Sequence, residues 1–430
     1  MKAKCIGMVR LQWARRLRMR LSVLLLLTGL ASQMSAQALT LEEAWRQAEA
    51  ANPVLRQAQA NSTATEGELA QAREPLFNNP QVSTQVNRLQ FFPLNGGAGY
   101  SVLEWNLGLS QTLELPDKQR ARRVAAEQSL SATRQDIEEI RRQIRAEVEQ
   151  RFIKALGLQQ HYDIEEQALS EIERATQATR KLVKGGEVPI LQGNIAEVEL
   201  ERERNRLSLL REQLVLARAD LATLLQLPAD QLPQVEGQLL PRPPRYTLAT
   251  LLASAARRPS QQALIDREHA AQSRLEFERA SVYPDITVGI NTGRGGEIDT
   301  ATQVTGLSIS VPLPLFNRNQ ARIGKASAEW TQAQIERNAG ERNVSAAVTV
   351  LWQRLQSLRE RVERLDLSVL PRLEQNRKLA RLSYAAGQMD LLQFLLISRQ
   401  ATDAQRDVLD ASVELRQTQA ALEAAAGWVE

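Results

Sequence analysis

Hydrophobic and polar positions along this chain follow two periods, one of two residues and one of three to four. From Leu103 the odd positions Leu103, Trp105, Leu107, Leu109 and, after Gln111, Leu113 are apolar, while Glu104, Asn106, Gly108, Ser110 and Thr112 are polar or small. Alternation over about ten residues predicts a strand with one greasy face. Ile286, Val288 and Ile290 alternate in the same way with Asp285, Thr287, Gly289 and Asn291, and Leu307, Ile309, Val311 and Leu313 with Gly306, Ser308 and Ser310. A weaker strand lies near Pro80–Leu89, with Val82, Thr84 and Val86 on its better face. Gly-rich stretches, Asn95–Gly99 and Gly293–Gly296, separate the strands of each pair and suit exposed hairpin ends.

Elsewhere the period is helical. Between Lys118 and Lys184 there is no Pro and a single Gly, Gly157. A helix of that length would run roughly 100 Å and must lie along something equally long. Arg318 to Ala386 is a second such stretch, interrupted only by Gly324, Gly340 and Pro371, where a kink or break is expected. Val344, Val348, Leu351, Leu355, Leu358, Val362, Leu365 and Val369 step by fours and threes, as do Leu207, Leu210, Leu214, Ala217, Leu221 and Leu224. That spacing is a heptad seam, which packs helices at a shallow angle.

The two kinds of element recur as a duplicated plan. LTLEEAW at Leu39 answers to YTLATLL at Tyr246, Asn52-Pro53 to Arg258-Pro259, LSQTLELP at Leu109 to LSISVPLP at Leu307, and a Gly turn at Gly186 to one at Gly387. The separation stays near ~200 residues throughout, as an internal repeat requires. The organisation read from this is a first repeat over 39–227, with strands about 80–92 and 100–115 and helices 118–184 and 190–227. A Pro-rich linker covers 228–245. A second repeat covers 246–430, with strands about 284–293 and 303–314 and helices 318–386 and 388–427.

Composition narrows the class. Aromatics are 4%, and a single Cys (Cys5) with two His (His161, His269) excludes a disulfide framework or a Cys/His zinc cluster. Arg15, Arg16, Arg18 and Arg20 precede the apolar run Leu21–Leu30, and Ala36-Gln37-Ala38 fits a cleavage site. Residues 1–38 therefore read as a secretory signal peptide, the run being too short to span a membrane; a helical N-terminal anchor is the rival reading. Cys5 leaves with that segment. Its seven bases, with no acid, account for the net charge of +4, and their removal leaves about −3, which does not favour a nucleic-acid binder. No apolar run after Ala38 is long enough for a transmembrane helix.

An exported chain with these strands faces a geometric problem. A soluble sandwich uses the same alternation but needs about seven strands. Transmembrane β-barrels carry strands of this kind, apolar outward and polar inward, and the smallest have eight. Four strands per chain cannot close one, so copies of the chain must pool them: two chains would give eight, three would give twelve. The expected architecture is a hollow conduit across an outer membrane with a helical periplasmic extension. A non-conducting periplasmic coiled-coil scaffold is the rival from another class.

Asn79-Pro80-Gln81, QTLELPDKQRAR from Gln111, VPLPLFNRNQARIGKA from Val311, SVLPRLEQ around Pro371 and YAAGQMDLL from Tyr384 resemble the TolC family of outer-membrane efflux proteins. Within it they resemble the (CzcC-like) outer-membrane subunit of cobalt–zinc–cadmium efflux systems. The resemblance covers nearly all of the chain beyond Ala38. It implies a mainly helical homotrimer, with a 12-stranded membrane β-barrel, an α-helical periplasmic tube, and an irregular belt at Leu39–Asn52, Pro228–Arg258 and the C-terminus. It also implies a periplasmic adaptor (membrane-fusion protein), an inner-membrane proton-driven pump of the resistance-nodulation-division (RND) type, and divalent heavy-metal cations as cargo. Multidrug or organic-solute export is the rival within the class.

Candidate functional residues follow from both lines. The lipid-facing set is Leu103, Trp105, Leu107, Leu109, Ile286, Val288, Ile290, Leu307, Ile309 and Val311. Gly185, Gly186 and Gly387 suit helix-ending turns; the resemblance makes those turns, with Val188, Met389, Asp390 and Leu391, a periplasmic tip that meets the adaptor. Family members carry acidic rings beyond this turn, whereas Gln393 and Leu396 stand six and nine positions past Gly387 here. An apolar constriction, or one formed by Asp390 alone as the candidate gate, is left. His161 and Glu165 have the i, i+4 spacing of metal ligands, and His269 has Asp266 and Glu268 nearby, but a solvated, charge-rich helix face explains both. Asp117 is a candidate N-cap, and Arg120, Arg122 and Arg123 face either lipopolysaccharide phosphates or water. No nucleophile–base pair, phosphate-binding loop or catalytic carboxylate pair stands in a recognisable arrangement, so no enzyme and no cofactor are expected.

Overall fold

The structure, a computed structural model, describes residues 38–92, 94–239, 245–297 and 300–428. The expected signal peptide and residues 240–244 of the Pro-rich segment lie outside the described residues. Fourteen elements follow Leu39: α1 (Leu41–Ala51), α2 (Pro53–Arg73), β1 (Gln81–Phe91), β2 (Tyr100–Leu113), α3 (Pro116–Lys184), α4 (Ile190–Leu224), α5 (Leu248–Ala256), α6 (Pro259–Ala280), β3 (Ile286–Glu297), β4 (Thr300–Ser310), α7 (Gln320–Arg364), a π-helical turn (Leu365–Val369), α8 (Leu370–Ala385) and α9 (Leu391–Ala426).

Local chemistry sets the helix starts. Asn52 accepts from Val54 N through its side chain (2.9 Å) and Pro53 opens α2, a capped start with a pre-set first residue. Thr247 and Thr250 cap α5 reciprocally. Helix α3 begins at Pro116, so Asp117 is not its N-cap but a first-turn acid, placed where the helix dipole favours negative charge. Gly324 and Gly340 do not break α7 as expected, since Gly costs a packed helix only about 1 kcal/mol. The interruption comes at Leu365–Val369, immediately before the residues that precede Pro371. Proline has no N–H and its ring crowds the carbonyl four residues back, and the wider π-turn absorbs the misfit.

Chain contacts divide the molecule into two compact units, and each repeat contributes to both. One unit comprises residues up to Ala48, Val148–Leu239 and Leu370–Val413. It packs the later part of α3, α4, α8 and α9 against one another. The heptad seam of α4 is half-buried at Leu207 and Leu210 and buried from Leu214 through Ala217 and Leu221 to Leu224. Thr179 donates to Ala175 O (2.9 Å) and lies 3.0 Å from the Tyr384 hydroxyl, and Tyr384 stacks on Phe394 at 4.7 Å. Leu39 pairs in parallel with Val235, tying the chain's start to the irregular segment after α4.

The second unit comprises Glu49–Glu147, Leu240–Val369 and the residues from Glu414. Its core joins Tyr246, Leu251 and Ala255 to the α7 seam residues Val348, Leu355 and Leu358, and to Leu415, Leu422 and Ala426 of α9. Tyr246 also meets the Trp352 and Trp428 rings and donates to Glu423 (3.0 Å); burial, with the Glu423 carboxylate beside it, pushes its phenol pKa well up. Outside this core the seam shallows, and Val369 is exposed.

The same unit holds all four strands, an antiparallel sheet of order β1-β2-β3-β4. The central pair, β2 with β3, joins the two repeats. Strand β3 runs through Gly293–Gly296, which had been expected to form a hairpin end, because the backbone of those residues pairs fully with β4. Strand β4 stops at Ser310, so Val311 and Leu313 continue the apolar pattern just beyond the ladder.

Candidate functional site

The sheet is inside out relative to a soluble one. Register places Val82, Leu109, Ile290 and Leu307 in one row across the four strands, with Gln111, Val288 and Ile309 in the row toward the helices. Thr84, Leu107, Thr292 and Thr305 form the next row toward the hairpin tips, followed by Val86, Trp105, Arg294 and Gln303. All ten residues of the expected lipid-facing set are exposed; Leu307 is 86% and Ile309 76% accessible, values no soluble sheet core shows. The opposite face carries Ser83, Asn106, Ser110, Asn291 and Ser308, with the Thr112 and Thr287 hydroxyls 2.9 Å apart. Glycines on that face (Gly108, Gly289) are half-buried with Ser110 and Asn291, while Ser83, Asn106 and Ser308 are exposed.

The rows also mark a boundary. Trp105 pairs directly with Arg294, and Arg88 pairs with Leu103 one row further out. An amphipathic ring beside cations is what the edge of a hydrocarbon layer selects. From Leu103 to Leu113, eleven residues of tilted strand would cover about 25 Å of membrane normal, the height of an outer-membrane apolar band. Both edge strands, β1 and β4, have one side without a strand partner among the described residues.

At the far ends of the long helices the two repeats build the same turn. Gly186 (φ 74°) donates to Val183 O at 3.1 Å and Glu187 N to Leu182 O at 2.9 Å; Gly387 (φ 69°) donates to Tyr384 O at 3.0 Å and Gln388 N to Ser383 O at 2.9 Å. Positive φ at both positions is why glycine stands there. Gly185 N closes onto Lys181 O, and Val188 is half-buried.

Two tip residues are placed otherwise than expected. Leu391 is buried, 2% exposed, in a cluster with Ala175, Ala196, Ala380 and Phe394, with Met389 packed on its edge. It faces inward because α9 begins there and its first turn seats on α3 and α8. Asp390 caps α9: its Oδ1 accepts from Gln393 N at 2.8 Å and its carbonyl from Phe394 N at 3.1 Å. Apolar residues exposed near the turns include Ile190 and Leu191 in the first repeat and Leu382, Leu392 and Leu396 in the second. The sequence marks them only as helix residues, since their exposure depends on which face packs.

The charged candidates are redistributed as well. Arg122 faces neither headgroup nor water: it bridges to Glu114 (2.6 Å) and lies 3.7 Å over the Phe77 ring. His161 Nε2 lies 2.7 Å from Asp410 Oδ1, while Glu165, its expected i+4 partner, turns to Arg406. His269 is exposed, and nearby Asp266 accepts from Ser131 (2.7 Å). Among the described residues no group of three or more His, Cys, Asp or Glu is placed to hold a metal ion.

A polar cluster that the sequence did not single out lies in the first unit. Arg406 of α9 forks onto Glu165 of α3 (2.5 Å to each oxygen), holds Asp403 (2.5 Å), and approaches Glu203 of α4 at 3.7 Å. Burial pushes the Glu203 carboxyl up to about 7, with the neighbouring Glu165 adding to it. Burial also opposes ionisation of Glu165, but hydrogen bonds from Arg406 outweigh it and hold that carboxyl below the usual range. No helix among the described residues is long and apolar enough to cross a membrane.

A four-stranded sheet with its apolar face free and a polar reverse face is the pattern of an outer-membrane strand set. The chain belongs to the outer membrane efflux protein family, whose sequence profile matches residues 44–226 and 251–428, and it resides in the outer membrane. It is 28% identical to the cobalt-zinc-cadmium resistance protein CzcC of Cupriavidus metallidurans over 88% of this chain and 86% of that protein. It is also 28% identical to the pyoverdine export outer membrane protein OpmQ of Pseudomonas putida, over 74% of this chain and 68% of that one. In fold it is similar to CusC (TM-score 0.74, 19% identity, 90% of this chain and 91% of the other). It is likewise similar to the outer membrane protein VceC of Vibrio cholerae (TM-score 0.76, 18% identity, 90% and 96%).

Proposed function

We propose that this protein is the exit duct of a tripartite efflux system, three copies closing a 12-stranded barrel, and that its cargo is divalent heavy-metal cations. The observation that carries the channel reading is the exposed apolar face of a four-stranded sheet whose two edge strands lack partners among the described residues. Unpaired backbone groups in hydrocarbon cost several kcal/mol each, so the edges must pair with those of further copies. Three copies give twelve strands and a lumen walled by Ser, Thr, Asn and Gly. Such a wall is polar without binding cargo tightly, which suits a duct that conducts and does no chemistry.

The partners in this reading are a periplasmic adaptor, an RND-type proton-driven pump in the inner membrane, and the outer-membrane lipid. The adaptor meets the tips formed by Gly185, Gly186, Val188, Gly387 and Met389, with Ile190, Leu191, Leu392 and Leu396 supplying exposed apolar contact. Asp390 serves these tips as a cap; a further part in gating the mouth would show as altered conductance in Asp390→Ala. The metal cargo is supported by the likeness to CzcC, named for cobalt, zinc and cadmium resistance. The equal identity to a pyoverdine export protein favours an organic-solute cargo as the second reading.

Planar-bilayer conductance of the purified protein tests the duct; a protein that inserts and never conducts contradicts it. Deletion of the gene with growth on cobalt, zinc or cadmium salts tests the cargo. Sensitivity of the deletion strain to those salts, with tolerance restored by the plasmid-borne gene, is expected. Unchanged metal tolerance with sensitivity to organic toxicants would transfer the assignment to the second reading.

A further inference from the structure

We infer that Glu203 and Glu165 form a buried proton-binding pair that fastens α4 to α3 and α9 when it holds a proton and loosens them when it does not. Both side chains are over nine-tenths buried. Both oxygens of Glu165 are committed to the Arg406 fork. Glu203 Oε2 accepts from Arg206 on its own helix (2.9 Å), but Glu203 Oε1 is buried with no partner, facing Arg406 beyond hydrogen-bond range at 3.7 Å. A carboxylate oxygen left this way recovers only part of its desolvation cost, from the Arg406 charge at 3.7 Å, and makes no hydrogen bond. A single proton resolves it, because a neutral Glu203 becomes a donor and the adjacent Glu165 carboxylate is the acceptor within the cluster.

The surrounding charges leave that solution standing. From α3 the cluster faces Glu165 and, further along, Glu171, which Arg381 of α8 neutralises. From α9 it faces Arg406, Asp403 and Arg399, with Asp403 shared between the two arginines. From α4 itself come Arg206, on Glu203, and Arg202, on Glu199. Every nearby arginine thus already holds a carboxylate by hydrogen bond, and Glu203 Oε1 receives no more than the Arg406 charge at 3.7 Å. The cluster borders a groove of about 630 Å³ between α3, α4 and α9, where Ser398 Oγ is also buried without a partner.

The direction with pH follows from a Glu203 carboxyl raised to about 7 from its ordinary 4.5. The folded chain holds this proton where the unfolded chain would release it, so the stabilisation is complete below about 4.5 and fades as pH rises through about 7. Glu165, held low, is ionised across that window and does not oppose the trend.

The test uses the full-length protein in detergent or nanodiscs, as wild type and Glu203→Gln, whose amide can donate to Glu165 at every pH. Infrared difference spectra between pH 5.5 and 8.5 should show a protonated-carboxyl band in the wild type that titrates near neutrality and is missing in Glu203→Gln. Hydrogen exchange, corrected for intrinsic rates, should rise several-fold in the wild-type α4 and α9 segments around Glu203 and Arg406 over the same range and stay flat in the variant. A wild type without the band, a band that survives Glu203→Gln, or equal exchange profiles in the two proteins would overturn the inference. The infrared result on the wild type alone decides it if the variant does not fold.

Discussion

Gly387 and Asp390 show how much depends on single residues at the tip. Gly387 holds φ at 69°, a region in which an L side chain costs roughly 1–2 kcal/mol. Gly387→Ala is expected to lower the unfolding temperature of the helical part, read by circular dichroism, while leaving secondary structure content unchanged. Asp390→Ala removes an N-cap and should cost about 1 kcal/mol, with Asp390→Asn restoring most of it. Unchanged stability in Asp390→Ala would mean that the cap contributes nothing. Arg406 is the most demanding position. Its removal strands the buried Glu165 carboxylate, and Arg406→Ala should destabilise by about 3–5 kcal/mol in thermal or denaturant unfolding. The spacing of the glycines made the turns legible in advance. The burial of Leu391 and the Arg406 cluster were not, because both arise where α3, α4, α8 and α9 meet, from residues far apart in sequence.

At the scale of elements, the strands were legible because a sheet with one free apolar face keeps strict alternation, and no packing partner disturbs it. Register then adds what alternation alone cannot: Val82 and Val86, on the weakest predicted strand, fall in the rows of Leu109 and Trp105. The resulting prediction concerns neighbouring residues of one strand. Leu107→Arg places a charge on the outward face and should weaken membrane assembly by roughly 2–4 kcal/mol near midplane. Asn106→Arg, one residue away on the polar face, should assemble normally. The heat-resistant oligomer band from outer-membrane extracts distinguishes them; equal assembly of the two variants contradicts the facing. Helix boundaries were less legible. Proline at 371 announced an interruption, but its form as a five-residue π-turn ending at Val369 depends on backbone accommodation that residue type does not specify.

The whole molecule is governed by a shortfall. A duplicated chain supplies two hairpins, their central strands pair with each other, and the outer edges of β1 and β4 remain open. Hydrocarbon does not tolerate open edges, and this is why the proposed duct needs further copies of the chain. The duplication and the four strands were legible because each repeat carries its own punctuation of Pro and Gly. The division into two compact units was not, since each unit draws segments from both repeats. Cargo belongs to a different level, for a lumen wall of Ser, Thr, Asn and Gly discriminates little. Native mass spectrometry of the detergent-extracted protein tests the central claim most directly. A mass of three chains that persists on dilution is the predicted result; a monomer or dimer that still forms a complete pore would contradict it.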